Sequence, residues 1–117
     1  MKINLARDIQ SNRSYRRQLM NEQSATRLIC VTNQRGLHAR PAELIAKRAL
    51  EFESKIEIIR DGQRVDAKSI LHILTLGAEC GTELTLEAQG ADAERAIDVL
   101  AELMSGDFAA FYENNQI

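Results

Sequence analysis

The dipeptide Asp61-Gly62 constrains this chain more than any other local feature. It lies between Ile56 and Ile58 on one side and Val65 on the other, and an Asp-Gly pair between β-type runs signals a hairpin because both turn residues take positive φ. Two neighbouring antiparallel strands are therefore fixed mid-chain. Upstream, Leu28-Ile29-Cys30-Val31-Thr32 is a β-branched-rich run closed by Asn33-Gln34-Arg35 and Gly36, the first strand and its loop. Pro41 is tolerated in a first helical turn, where its missing N–H would have no partner. Behind it Ala42, Ile45, Ala46, Ala49 and Phe52 recur at helical spacing, which predicts a helix over about 39–53. Downstream, the run from Ser69 to Leu76 has a capping residue in front and Gly77 behind, the punctuation of a short helix. Residues Glu83 to Glu87 alternate with period two. Asp92 is expected to cap a last helix whose stripe is Ala93, Ala96, Ile97, Leu100 and Met104, ending near Gly106.

The resulting order, β-α-β-β-α-β-α, predicts an α+β sandwich: an antiparallel sheet covered on one face by helices, on pattern alone a split β-α-β relative of the ferredoxin-like fold. A chain of 117 residues with 44% hydrophobic and 27% charged positions has the size of one ordinary domain, which excludes a two-domain enzyme. Apolar runs are only a few residues long, whereas a spanning helix needs ~20, so no membrane insertion is expected. Phe and Tyr number three and two, there is no Trp, and Phe108, Phe111 and Tyr112 crowd the C-terminus, so the core must be aliphatic.

Charge divides the chain into a basic arm and an acidic body. Residues 1–27 carry six basic side chains against Asp8 and Glu22, a net +4 within an overall charge of -2. Arg16-Arg17 resembles a twin-arginine signal, but no apolar stretch follows before Glu22, so export is not expected. Two cysteines, Cys30 and Cys80, are too few and too far apart for a disulfide framework or a zinc knuckle, and a reducing cytoplasm fits them. Cys30, within an apolar strand, reads as a small buried hydrophobe and Cys80 as a loop thiol. Three regions are expected: a flexible or weakly helical extension over 1–26, a folded domain over 27–106, and an aromatic tail over 107–117.

The segment Gly36-Leu37-His38-Ala39-Arg40-Pro41-Ala42 carries the most chemistry. A histidine between a turn glycine and a proline-led helix start lies just ahead of free backbone N–H groups and the positive end of the helix dipole. That is an anion site holding a nucleophile, where a phosphoryl group on the ring nitrogen would meet amide donors and the Arg40 guanidinium. On residue types alone, a surface loop histidine with a solvated arginine explains the segment equally well.

The same segment, Gly36 to Ala42, resembles the active-site signature of the HPr family, the histidine-containing phosphocarriers of the bacterial phosphotransferase system. Ala67-Lys68-Ser69-Ile70-Leu71 followed by Leu76-Gly77 resembles that family's regulatory-serine segment, and the resemblance extends over about 27–106. It implies an open-faced β-sandwich of four antiparallel strands with three helices on one face. It further implies that His38 accepts a phosphoryl group from Enzyme I, ultimately from phosphoenolpyruvate, and passes it to an Enzyme II A-type acceptor while Arg40 steadies it. The protein would be a phosphotransferase component with a phosphohistidine intermediate and not an independent enzyme, cytoplasmic, with neither cofactor nor metal of its own. Ser69 would be a regulatory site for a serine kinase and phosphorylase, and Ile70, Leu71 and Leu74 would contact partners.

Two alternatives stand beside this reading. One is a regulatory HPr relative acting through Ser69; the other is a split β-α-β binding module. A nucleic-acid module predicts aromatics on the central strands, and these strands have none, so no nucleic-acid partner is expected. Arg35 stands where family members often carry a small polar residue such as Asn. The arm and tail exceed the family's compact unit, and the apolar residues of the arm are expected, if ordered, to lie against Phe108, Phe111 and Tyr112. His72, three residues after Ser69, reads as an exposed helix histidine rather than a ligand, since no spacing among it, His38, Cys30 and Cys80 matches a metal pattern.

Overall fold

The structure, a computed structural model, describes residues 23–106; the expected contact between arm and tail lies outside the described residues. In chain order the elements are β1 (Ser24–Cys30), α1 (Ala39–Ala49), β2 (Lys55–Arg60), β3 (Gln63–Asp66), α2 (Ile70–Leu74), β4 (Glu83–Gln89) and α3 (Ala93–Ser105). The strands form one antiparallel sheet in the order β1-β4-β2-β3. Asp61 (φ 49°) and Gly62 (φ 85°) make the two-residue turn joining β2 to β3, as the dipeptide requires.

Alternation decides which side of the sheet is covered. Leu84, Leu86 and Ala88 of β4, Ile56 and Ile58 of β2, Val65 of β3 and Ile29 of β1 are buried beneath the helices. Against them lie Ile45 of α1, Ile73 of α2, and Ile97, Leu100 and Met104 of α3, so the core is aliphatic. The opposite face, with Leu28, Thr85, Ile59 and Arg64 in register across the four strands, carries no helix. This is the α+β open-faced arrangement expected.

Boundaries differ from the sequence reading where packing overrides pattern. The first helix stops at Ala49 instead of near Glu53 because the N–H groups of Glu51 and Phe52 turn back to the carbonyls of Arg48 and Ala49, at 3.0 and 3.1 Å, and close the last turn tightly. Phe52 remains buried, so the apolar period outlasts the helix. β1 begins at Ser24, inside the expected extension, because Ser24, Ala25 and Thr26 pair with Gln89, Ala88 and Glu87; small and polar residues concealed those rungs. The second helix spans only Ile70–Leu74. Cys30 is exposed rather than buried, since Ile29 and Val31 take the inward positions on either side of it.

Asp92 also departs from expectation. It precedes α3 without capping it through its side chain, and its carboxylate instead accepts from the backbone N–H of Glu53 (2.9 Å) and Ser54 (3.0 Å) and from the Ser54 hydroxyl. One side chain thereby ties the start of α3 to the entrance of β2. Partial burial pushes this carboxyl up, but the hydrogen bonds from Ser54 and Glu53 outweigh it and hold Asp92 below its ordinary value of 3.8. A carboxyl whose folded value is depressed stabilises the fold fully above the unfolded value and loses that contribution as pH falls through the folded one. Asp92→Asn should therefore melt below the parent at neutral pH, with the gap closing once the pH drops below about 4. Thermal unfolding of both proteins across that range checks this; a gap that persists in acid would exclude the carboxylate as its source.

Candidate functional site

The loop before α1 is built from backbone contacts. The Gly36 N–H donates to the Asn33 carbonyl at 2.8 Å while Asn33 Nδ2 donates to the Gly36 carbonyl at 2.8 Å, closing a tight turn from both sides. Gly36 has φ +70°, and a Cβ there would lie 2.3 Å from the Ala78 carbonyl oxygen and 2.8 Å from Glu79 Cα. Backbone is pressed on backbone, so only glycine fits. The next residue, Leu37, is buried and donates its N–H to Ala78 O at 2.8 Å.

This double anchorage delivers His38 as the N-cap residue of α1, extended at φ -83° and ψ -166°, with its ring making no capping hydrogen bond. The His38 carbonyl accepts the Ala42 N–H at 3.0 Å, the first hydrogen bond of the helix. Pro41 is buried in the first turn and brings no donor of its own. A helix start leaves its leading N–H groups outside its own ladder and gathers positive partial charge, and no acidic residue lies in the first turn of α1 to compete with an incoming anion. His38 is half-buried; Arg40, second in the helix, is exposed.

α2 packs against α1 and is capped by Ser69, whose Oγ accepts the His72 N–H at 3.2 Å. Ile73 and Leu76 enter the core, whereas Ile70, Leu71 and Leu74 are 38%, 74% and 36% exposed. The helix therefore presents three apolar side chains to solvent within five residues. Its exit is held by Arg60, whose Nη1 donates to the carbonyls of Leu76 (2.8 Å) and Gly77 (2.9 Å). Ala78 follows directly, so the exit of α2 reaches the His38 loop, and Ser69 lies at the other end of the helix. The exposed apolar side chains and His38 are thus brought together, while the two candidate phosphorylation positions are held apart.

Sequence reasoning missed the clamps at Asn33, Arg60 and Ala78. The small pair Gly77-Ala78 was the available signal, but which backbone it would meet cannot be read locally. His72 is exposed, and Cys30 and Cys80 are free thiols on the surface. Among the described residues no three His, Cys, Asp or Glu side chains gather as a metal site would require, and no helix is long and apolar enough to cross a membrane.

Comparison with known proteins matches this geometry to a family. Residues 25–106 fit the family model described as the PTS HPr component phosphorylation site. The chain is 44% identical over 78 residues to the phosphocarrier protein HPr of Treponema pallidum, spanning 67% of this chain and 89% of that relative. It is 46% identical over 66 residues to the HPr-like protein Crh of Bacillus subtilis, spanning 56% of this chain and 78% of the relative. The crystal structure of HPr from Bacillus anthracis superposes with a TM-score of 0.67 at 37% identity, covering 69% of this chain and 96% of that one. With the histidine-led helix start, the four-stranded open sheet and these relatives in agreement, the chain belongs to the HPr family of phosphocarrier proteins of the phosphotransferase system.

Proposed function

We propose that His38 is the residue that carries the phosphoryl group, received from phosphorylated Enzyme I and passed to an Enzyme II A-type acceptor in the cytoplasm. The observation that carries this reading is the position of His38: extended, at the N-cap of α1, its ring not engaged in capping and no acid in the first turn. A ring nitrogen attacks phosphorus through its lone pair, the N–P bond forming as the bond to the donor breaks. The transferred oxygens then face the leading amides of α1, and the Arg40 guanidinium supplies charge-assisted hydrogen bonds. In this scheme the protein turns over nothing by itself. The folded unit is the carrier, and residues 1–26 and 107–117 are appendages to it.

Incubation with Enzyme I and labelled phosphoenolpyruvate should label the protein in an acid-labile, base-stable form, because a phosphoramidate loses its phosphoryl group when its nitrogen is protonated. His38→Ala should abolish the label; label that survives this substitution would overturn the assignment. Arg40→Ala should slow transfer about tenfold or more, the range of a charged hydrogen bond worth about 1.5–3 kcal/mol, without eliminating it. Equal rates would remove Arg40 from the site.

The exposed residues Ile70, Leu71 and Leu74 form the partner surface in this scheme, next to the loop that presents His38. An apolar patch at the centre of a contact carries a large share of its free energy. Leu71→Glu or Leu74→Glu should slow phosphotransfer by about tenfold, since an interface anchor is worth ~1–2 kcal/mol, while a surface site of this kind leaves the melting temperature nearly unchanged. A mutant that transfers normally, or one that unfolds, would count against the docking role.

A second reading, regulation through Ser69, is favoured by one observation. Ser69 caps α2 directly ahead of Ile70 and Leu71, so a phosphate there brings about two negative charges to the edge of the docking patch. The helix start tolerates that charge, and an apolar contact does not. A serine kinase and phosphorylase would then gate docking without touching His38. Ser69→Asp should melt like the parent yet accept phosphate from Enzyme I several-fold more slowly; a rate equal to the parent's would leave Ser69 as a helix cap alone.

A further inference from the structure

The uncovered face of the sheet divides into two halves. Towards β3 it is charged: Arg64 Nη1 donates to Glu87 Oε1 at 2.7 Å and to Glu57 Oε1 at 2.9 Å, tying three strands together. Towards β1 it is apolar. Leu28, 76% exposed, faces outward opposite Thr85, which is flanked in turn by Ile59, and the exposed Cys30 lies one outward position further along the strand. Leu28 is the most exposed large apolar residue described, and it lies on the face away from α1 and α2.

The exit of α3 is tied to this same region. Thr32, two residues beyond β1, donates its hydroxyl to the carbonyls of Ser105 (3.0 Å) and Gly106 (3.4 Å). Gly106 is extended (φ -84°, ψ 178°), so the helix ends there and the chain leaves it beside β1, an edge strand paired only with β4 among the described residues. At ~3.3 Å per residue, Leu28 lies ~13 Å back along the strand from Thr32. The next residues in sequence, Asp107-Phe108-Ala109-Ala110-Phe111-Tyr112, place three of the chain's five aromatic side chains within six positions of that anchor. Six residues span up to ~20 Å, enough to reach Leu28. The N-terminal arm joins the fold at the opposite end of β1 and is basic, so it complements the apolar half less well.

We propose that residues 107–117 fold back along the edge of β1 and cover the apolar half of the open sheet face, laying Phe108, Phe111 and Tyr112 over Leu28 and Cys30. The cover is intramolecular. An aromatic side chain buries ~150–250 Å² when it packs, so even one or two of them would remove Leu28 from water. The covered face is opposite to the one that carries α2, so the tail leaves the partner surface open.

Cys30 supplies the readout. In the full-length chain carrying Cys80→Ser, so that Cys30 is the only thiol, its rate of reaction with a disulfide reagent is compared before and after Phe108→Ser, Phe111→Ser and Tyr112→Ser are introduced together. The aromatic tail should slow the thiol about tenfold, since access of the reagent sets this rate, and the slowing should not depend on protein concentration. Circular dichroism melting of both chains establishes that the domain is folded in each. As a second measurement, Leu28→Ser in the full chain should lower hydrogen-exchange protection of the amides of 108–112. Equal thiol rates with and without the aromatics overturn the proposal. So does protection that grows with protein concentration, which would assign the face to a second copy. Protection lost on Ile3→Ser, Leu5→Ser and Ile9→Ser instead would assign it to the arm and overturn it as well.

Discussion

The site depends on a contact between two stretches of backbone. Gly36 approaches Ala78 and Glu79 more closely than any Cβ would allow, and the Leu37 N–H closes the gap with a hydrogen bond to Ala78 O. On one side of this contact hangs His38, a single residue away; on the other hangs the exit of α2, held in place by Arg60. The phosphoryl-accepting residue and the proposed docking helix therefore share one rigid reference, although 30 or more residues separate them in the chain. Pre-organisation of this kind matters for group transfer, where misplacement by about an ångström costs orders of magnitude in rate. A backbone contact is also indifferent to side-chain substitution, except at the one position that must remain glycine.

Packing explains why so short a helix as α2 persists. Five residues are far below the length at which a helix is stable by itself in water. α2 survives because Ile73 is wholly buried, because Ser69 satisfies one leading amide, and because Arg60 occupies the carbonyls just past its end. With one apolar residue committed to the core, the others project outwards. The exposure of Ile70, Leu71 and Leu74 follows from the brevity of the helix: a longer amphipathic helix would turn one stripe inward and leave polar residues outside.

The sequence made the middle and end of the chain legible, and for local reasons. The Asp61-Gly62 turn, the period-two run of β4 and the stripe of α3 are patterns within a few residues, and each appears where expected. So does the histidine ahead of Pro41. What escaped notice depended on partners distant in sequence. Ser24 to Thr26 are strand residues only because β4 offers them a ladder, Cys30 is exposed because Ile29 and Val31 claim the core, and Phe52 is buried from a turn. Asp92 shows the same effect in chemistry, since a good capping residue bonds instead to two amides and a hydroxyl at the entrance of β2, 38 and 39 residues away. The family resemblance supplied what local pattern could not, namely that the histidine and the serine belong to one architecture.

Charge is distributed along the chain in a way that suits the site more than the fold. Residues 33–48, from the His38 loop through most of α1, hold Arg35, Arg40, Lys47 and Arg48 against a single acid, Glu43. Residues 79–102 hold seven acids against Arg95 alone. Within the helices the ion pairs are sparse and exposed, such as Arg48 with Glu51, and pairs of that kind contribute little to stability. The basic segment instead surrounds the start of α1, where the transferred group is anionic and the helix already offers positive partial charge. Such a field acts over about a Debye length, ~8 Å at physiological salt, so it bears on the phosphoryl group and on the rim of a docked partner, and not on the far side of the sheet. Arg35 extends that field on the loop side of His38, opposite to Arg40 on the helix side. Charges on both flanks favour an acidic partner rim and a faster encounter at low ionic strength, an effect on association rate more than on the strength of the final complex.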